Sequence, residues 1–254
     1  MDPIWKEKSK SIVLSSTILH IDTISVAYSK RFNILSQVSL SLESNQIIAL
    51  IGENGSGKST LLKSICGLIN IAQGEIHLFG KEFKQWNKSS LAQKIAYVSS
   101  SENVRSIITV ERFVGFGRYP HTSWMVNQTK EDLDCIQGAL SSCKIEYLRE
   151  KTMAQLSDGE RQKVYLARAI AQNADLIILD EPTTHLDVKS SNSMFQLIQS
   201  QKESGRAVLF SSHQIEKALS IADKVWVVDC GSVIETTPDE FYKDEHLKKL
   251  IFGE

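Results

Sequence analysis

At 254 residues, 42% of them hydrophobic, the chain is long enough for one sizeable α/β domain or two small ones and has the composition of a folded protein with a substantial core. Its 29 Lys and Arg residues nearly cancel 30 Asp and Glu residues, so charge gives no basis for a broad grip on nucleic acid or on an anionic membrane. The longest apolar stretches, at 46–51 and 176–179, fall far short of the ~20 residues needed to cross a bilayer, so any membrane attachment is expected to come through a partner.

The first ten residues, MDPIWKEKSK, hold no uninterrupted apolar stretch followed by a small-residue cleavage site, and export is not expected. Residues 1–16 lack periodicity and read as a flexible extension ahead of a single domain over 17–254. Apolar and polar residues alternate over 19–28 and 38–42, which predicts half-buried antiparallel strands and a β-rich N-terminal lobe. Short continuous apolar runs at 47–51, 176–179 and 207–210 predict parallel strands covered on both faces. Helical stretches at 61–65, 133–140, 164–171 and 194–198 separate them, the alternation of a doubly wound sheet. Between a strand at 95–98 and the run at 176 lies a mostly helical stretch with a Gly- and aromatic-rich loop, GFGRYPH at 115–121. It predicts an inserted helical lobe over roughly 100–160. Neither a repeat nor a Pro- or Ser-rich linker divides the chain. The four cysteines, Cys66, Cys135, Cys143 and Cys230, make no CxxC pair and read as free thiols suited to a reducing cytosol.

Residues 52–60, GENGSGKST, fit the P-loop pattern in its required context, after an apolar strand and before a helical run. Glycines at Gly52, Gly55 and Gly57 let the backbone curl so that successive amides, through Glu53, Asn54 and Ser56, face phosphates. The helix start at Lys58 adds its positive dipole end. Lys58 would neutralise β and γ oxygens, Ser59 would offer a hard oxygen to Mg²⁺, and Thr60 would bond the α-phosphate. The bland alternative is a Gly-rich turn capping a helix, and the motif by itself implies nucleotide binding rather than transport.

The run at 176–179 ends in Asp180 and Glu181, acids that need a partner or a metal if they are desolvated. Asp180 fits a Mg²⁺ ligand acting through water, and Glu181 fits a base that polarises the water attacking a γ-phosphate; two solvated acids at a strand end are the alternative. His213 follows the run at 207–210 and so belongs to a third strand end, where it reads as a γ-phosphate contact against a core role.

Four further elements, in order and at the right spacing, make residues 19–234 resemble ABC transporter ATPases. The resemblance implies a P-loop NTPase fold: a RecA-like parallel-sheet core, an N-terminal antiparallel β lobe and an inserted α-helical subdomain. LSDGE at 156–160, followed by Arg161 and Gln162, resembles the LSGGQ signature. By that resemblance Ser157 and the Gly159 backbone donate to a γ-phosphate held by the opposite subunit, so that ATP joins a homodimer. Asp158 stands where the commonest signature has glycine, and Glu160 where it has glutamine. A plain capping role also suits Asp158, since a negative charge in the first helical turn offsets the dipole by ~0.3–1 kcal/mol at exposed sites. THLD at 184–187 resembles the D-loop, with Asp187 crossing the dimer axis, and Tyr28 resembles the aromatic that stacks on adenine, with a strand-surface tyrosine as the alternative. Matching Tyr97, Thr109 and Val110 to the family puts Ser100 where a glutamine normally reaches Mg²⁺ and the attacking water. Either a serine acts there through water, or the site closes differently, or Glu102 or a partner group substitutes.

GRYPH at 117–121 with Trp124, and EPTTHLD at 181–187, resemble the ATPases of iron-siderophore, haem and cobalamin importers. That resemblance implies ATP and Mg²⁺, integral membrane permease subunits contacting residues near 100–124, a substrate-binding protein, and no nucleic acid. It also implies a peripheral place on the cytoplasmic face of the cell membrane. ATP would close the dimer, closure would move the permease, and hydrolysis would reset it. The alternative is a non-transport ABC ATPase acting as a nucleotide-gated scaffold or assembly factor, which the serine at 100 favours. A nucleoside kinase would leave the signature, Asp187 and His213 unexplained.

Overall fold

A computed structural model describes residues 16–29, 32–122 and 128–253; of the extension expected over 1–16 all but the last residue, together with Trp124 and the side chains of Tyr28, Ser29 and Phe32, lies outside the described residues. Apolar alternation along β1 (Thr17–Ser29) contains one slip: Leu19 and Ile21 are buried, and Ile24 and Val26 continue their face after one extra residue. Thr23 absorbs that residue in the left-handed region, at φ 47°, and the register of β1 on β2 (Phe32–Glu43) shifts there. β2 makes a matching slip at Gln37, φ 52°, between the buried Leu35 and Val38. Two amides at these slips are met by hydroxyls of the facing strand: Thr23 N–H donates to Ser39 Oγ at 3.0 Å and Gln37 N–H to Ser25 Oγ at 3.2 Å. With β4 (Gln73–Leu78) and β5 (Lys81–Glu82) these strands form an antiparallel sheet in the order β2-β1-β4-β5.

The second sheet has the order β10-β9-β3-β8-β7-β6, from β3 (Ile47–Gly52), β6 (Ile95–Val98), β7 (Leu176–Leu179), β8 (Ala207–Ser211), β9 (Lys224–Asp229) and β10 (Ser232–Thr236). Its strands pair in parallel except β10, which turns back antiparallel on β9. The continuous apolar runs are explained by burial on both faces, and the two faces sort residues with period two. Ile47, Ala49, Ile177, Leu179, Val208 and Phe210 face one core, and Ile48, Leu50, Leu176, Ile178 and Leu209 face another.

Helix α1 (Lys58–Ile65) and the antiparallel sheet cover the second of these faces. Helix α2 (Lys88–Ala92) precedes β6, and α3 (Val110–Gly115), α4 (Lys130–Ser142) and α5 (Asp158–Ala171) follow it. These three share the first core with α6 (Val188–Glu203). The helical segment is tied together by Arg118, which sits in a 3-10 turn at Phe116–His121 and is 3% exposed. Its Nε donates to Asp132 Oδ1 at 2.8 Å and its Nη1 to the Ala171 carbonyl at 3.0 Å, so one guanidinium pins the turn to both α4 and α5. Asp132 in turn closes the capping box of α4, accepting the Thr129 amide and hydroxyl on Oδ2 at 3.0 and 2.8 Å. A third, smaller core at the far end of the sheet joins Ile51, Val225 and Val227 to α7 (Ile215–Ile221), α8 (Pro238–Lys243) and α9 (Glu245–Phe252). Among the described residues no helix is long and apolar enough to cross a membrane.

Candidate functional site

The neighbouring strands β3, β8, β7 and β6 deliver their C-terminal ends side by side, and every loop that leaves them there carries a residue singled out from the sequence. The loop after β3 begins at Gly52, whose φ of 150° and whose closeness to the Val228 carbonyl, 2.5 Å from where a Cβ would stand, exclude a side chain. It passes Glu53, Asn54, Gly55, Ser56 and Gly57 and enters α1 at Lys58 with no acidic residue in the first turn, so the helix dipole is left uncompensated at that end. Ser56 Oγ is buried with no hydrogen-bond partner among the described residues, an unmatched donor of the kind a bound oxyanion would satisfy. The Lys58 side chain folds back over its own loop, its Nζ donating to the Gly52 and Glu53 carbonyls, both at 2.9 Å. Burial pulls this ammonium below the ordinary lysine value, while the carboxylates of Glu181 and Asp180 oppose the shift. Thr60 is buried in the same first turn.

Asp180, at the end of β7, is 1% exposed and surrounded by hydroxyls. Ser211 and Ser59 donate to its Oδ1 at 2.9 and 3.1 Å, and Ser100 and Tyr97 to its Oδ2 at 3.3 and 3.4 Å. The expected pair of Ser59 and Asp180 is therefore in direct contact, and Ser100 does reach the acid despite its short side chain. Burial, and then the Asp180 charge, push the Tyr97 phenol well above its usual value, which keeps it a donor. Glu181 comes next with a left-handed backbone, φ 53°. Its carboxylate lies 2.7 Å from His213 Nε2 and accepts the Thr184 hydroxyl at 3.1 Å. Glu181 and His213, from the ends of β7 and β8, are thus neighbours.

A second cluster sits at the starts of α5 and α6. Ser157 caps α5 in a reciprocal box: its amide and hydroxyl donate to Glu160 Oε2 at 2.9 and 3.0 Å, and the Glu160 amide donates to Ser157 Oγ at 3.3 Å. Asp158 is held by Arg161 Nη1 at 2.5 Å. Gly159 presses on Ser190 of α6, whose Oγ lies 2.7 Å from where a Cβ would be. The Ser190 amide donates to Asp187 Oδ1 at 2.6 Å, so Gly159 and Asp187 meet through one residue. The amide and hydroxyl of Ser190 hold the Asp187 carboxyl below the usual carboxylate range.

The loop after β6 joins the two clusters. Glu102 grips Arg168 of α5, its Oε2 at 3.0 Å from Nη2, so its carboxylate is directed to the helix here. The Val104 amide donates to the Tyr165 hydroxyl at 2.8 Å. Between this loop, the start of α5 and residues Thr184 and His185 lies a polar cavity of about 360 Å³. Tyr28 is placed in β1 by its backbone, with its side chain outside the described residues. Sequence reasoning missed Ser211 and Thr184, which touch Asp180 and Glu181. Ser211 carried a readable signal, a hydroxyl closing an otherwise apolar buried run.

No cluster of three or more His, Cys, Asp or Glu residues that could hold a metal occurs among the described residues. The oxygens of Ser59 and Asp180 suit a hard cation that brings its remaining oxygens from water and phosphate.

Comparison with known proteins gives a consistent result. The family described as ABC transporter matches residues 35–184. The chelated iron transport system membrane protein YfeB of Yersinia pestis is 34% identical over 237 residues, which cover 92% of this chain and 79% of that protein. The manganese transport system ATP-binding protein MntB of Bacillus subtilis is 30% identical over 237 residues, covering 92% of each. Among solved structures, CbiO1 of Clostridium perfringens, part of the ABC transporter complex CbiONQ, matches with a TM-score of 0.82 and 25% identity over 92% of this chain and 94% of that one.

Proposed function

The chain belongs to the ABC transporter family, as an ATP-binding subunit whose ATPase activity is coupled to transport, and on that premise we propose that it powers uptake of a metal chelate through a separate membrane permease. The observation that carries the enzymatic part is the convergence of Lys58, Ser59, Asp180, Glu181 and His213 at three adjacent strand ends.

In this reading the amides of 52–57, Lys58 and Thr60 hold the phosphates, and Tyr28 stacks on the adenine. Ser59 and Asp180 would hold Mg²⁺, with Ser100 bonded to the same acid, and the ion would supply charge neutralisation at the phosphates. Glu181 takes a proton from the water that attacks the γ-phosphorus, the bond to the ADP oxygen breaks, and His213 donates to the departing phosphate. Ser157 and Gly159 of a second copy complete the pocket, and Asp187 crosses between copies. Exposed Ile107 and Tyr119 offer apolar contact to a permease within 100–124. Similarity to YfeB supports an iron chelate as cargo, and similarity to MntB keeps the metal itself open.

Two measurements test this. Glu181→Gln should abolish turnover while ATP-dependent dimerisation persists, and full turnover in that variant would remove Glu181 from its role. Pull-down from solubilised membranes should bring down a permease whose own substrate names the cargo; recovery of a soluble partner alone would favour the nucleotide-gated scaffold instead.

A further inference from the structure

We infer that Ser211 is a positioning residue for ATP hydrolysis, fixing the Asp180 carboxylate and the Glu181 backbone relative to each other. The inference rests on the roles proposed for those two acids.

Ser211 is the last residue of β8 and is 0% exposed. Its hydroxyl does two things at once: it donates to Asp180 Oδ1 at 2.9 Å and accepts the Glu181 amide at 2.8 Å. Only a group that is both donor and acceptor satisfies a carboxylate and an N–H from one atom, which is what a hydroxyl provides and a methyl does not. The parallel ladder between β7 and β8 runs in register as far as Leu179 opposite Phe210. Beyond it the chain swings into the left-handed conformation of Glu181, where the Ser211 oxygen receives the amide. The Asp180 amide is held on the other side by the Val98 carbonyl at 2.9 Å. Both peptide units beside the acids are thereby clamped, one by β6 and one by β8.

Of the four hydroxyls on Asp180, Ser211 makes the shortest contact. It is also the one that comes from β8, the others belonging to the phosphate-binding motif, to β6 and to the loop after β6. Were Ser59 to turn to a metal, Ser211 would remain to orient Oδ1. Losing it leaves a buried amide unpaired and takes from Oδ1 its shortest contact, which alters the transition state more than the binding of ATP.

The test compares Ser211→Ala, Ser211→Cys and Glu181→Gln in the purified full-length protein, measuring kcat, KM for ATP and the Mg²⁺ concentration giving half-maximal rate. Cysteine keeps the size and a weakened donor and acceptor, so the variant stays folded if alanine does not. Expected is a graded fall in kcat, serine above cysteine above alanine and reaching roughly 10- to 100-fold. Half-activation should move to higher Mg²⁺ in the same order, with KM for ATP nearly constant. A wild-type Mg²⁺ response in the cysteine and alanine variants, or a kcat loss that only tracks the folded fraction, overturns the proposal. Should Glu181→Gln itself turn over normally, the underlying assignment of the acids fails; an inactive Glu181→Gln beside an unaffected Ser211→Ala condemns Ser211 alone.

Discussion

Replacing Arg118 by methionine probes the tie between the helical segment and the rest of the fold. The guanidinium is 3% exposed, and Asp132 is almost equally buried at 4% for its side chain. Removing one member of such a pair strands a buried charge, at a cost of about 3–5 kcal/mol. Here the damage is limited, because Asp132 Oδ2 keeps the Thr129 amide and hydroxyl while only Oδ1 and the Ala171 carbonyl lose their donor. The low end, about 3 kcal/mol, is therefore expected for Arg118→Met. For a chain of this size that lowers Tm by roughly 6–12 °C. Thermal unfolding followed by circular dichroism reads it, and amide exchange should show α4 opening before the parallel sheet. Adding Asp132→Asn removes the stranded charge and should recover more than half of the loss. A Tm within about 2 °C of wild type for Arg118→Met, or a double variant less stable than the single one, would refute the reasoning.

The same pair sets a pH dependence. Burial raises the Asp132 carboxyl, but the Arg118 hydrogen bond and the Thr129 amide and hydroxyl outweigh it and hold the group below the usual carboxylate range. A depressed folded value means that its stabilisation is complete above the ordinary carboxyl value near ~4 and is lost as pH falls through the folded value. Urea midpoints of wild type and Asp132→Asn should accordingly converge in acid; a constant gap from neutral to acid pH would contradict this. Gly159→Ala should cost about 1–3 kcal/mol, because the new methyl meets Ser190. Adding Ser190→Ala should restore most of that stability, and failure of the rescue in chemical denaturation would show that the glycine is needed for something other than helix packing.

Much of this architecture was legible in the residues, and the exceptions have physical reasons. Continuous apolar runs such as 47–51 and 207–210 marked the buried strands because both of their faces are covered. β4 was harder to read: the first half of QGEIHL is exposed, so only Ile76 and Leu78 carry the pattern. The slips at Thr23 and Gln37 interrupt the alternation of β1 and β2 without ending the strands, since the facing strand supplies hydroxyls to those amides. At the site, the phosphate loop, the two acids and His213 announced themselves by motif and by position after apolar runs. The hydroxyl of Ser211 at the end of an apolar run was visible but its partners were not, and the work of Thr184 and Ser190 was not legible at all, because each acts through contacts between segments distant in sequence or through a backbone turn. Arg118 belongs with them: its loop stood out from composition, but only the fold reveals a buried anchor within a stretch expected to face a permease.

The five residues from Ser100 to Val104 touch Asp180 at one end and hold α5 at two points, through Glu102 and Val104. A strap so short, fastened three times, has almost no slack. Any tilt of α5 that keeps its grip on Arg168 and Tyr165 must therefore tug on the serine beside the acid, and any shift of the acid must be felt along the helix. The rim of the molecule and its chemical centre are thus joined directly by five residues of backbone.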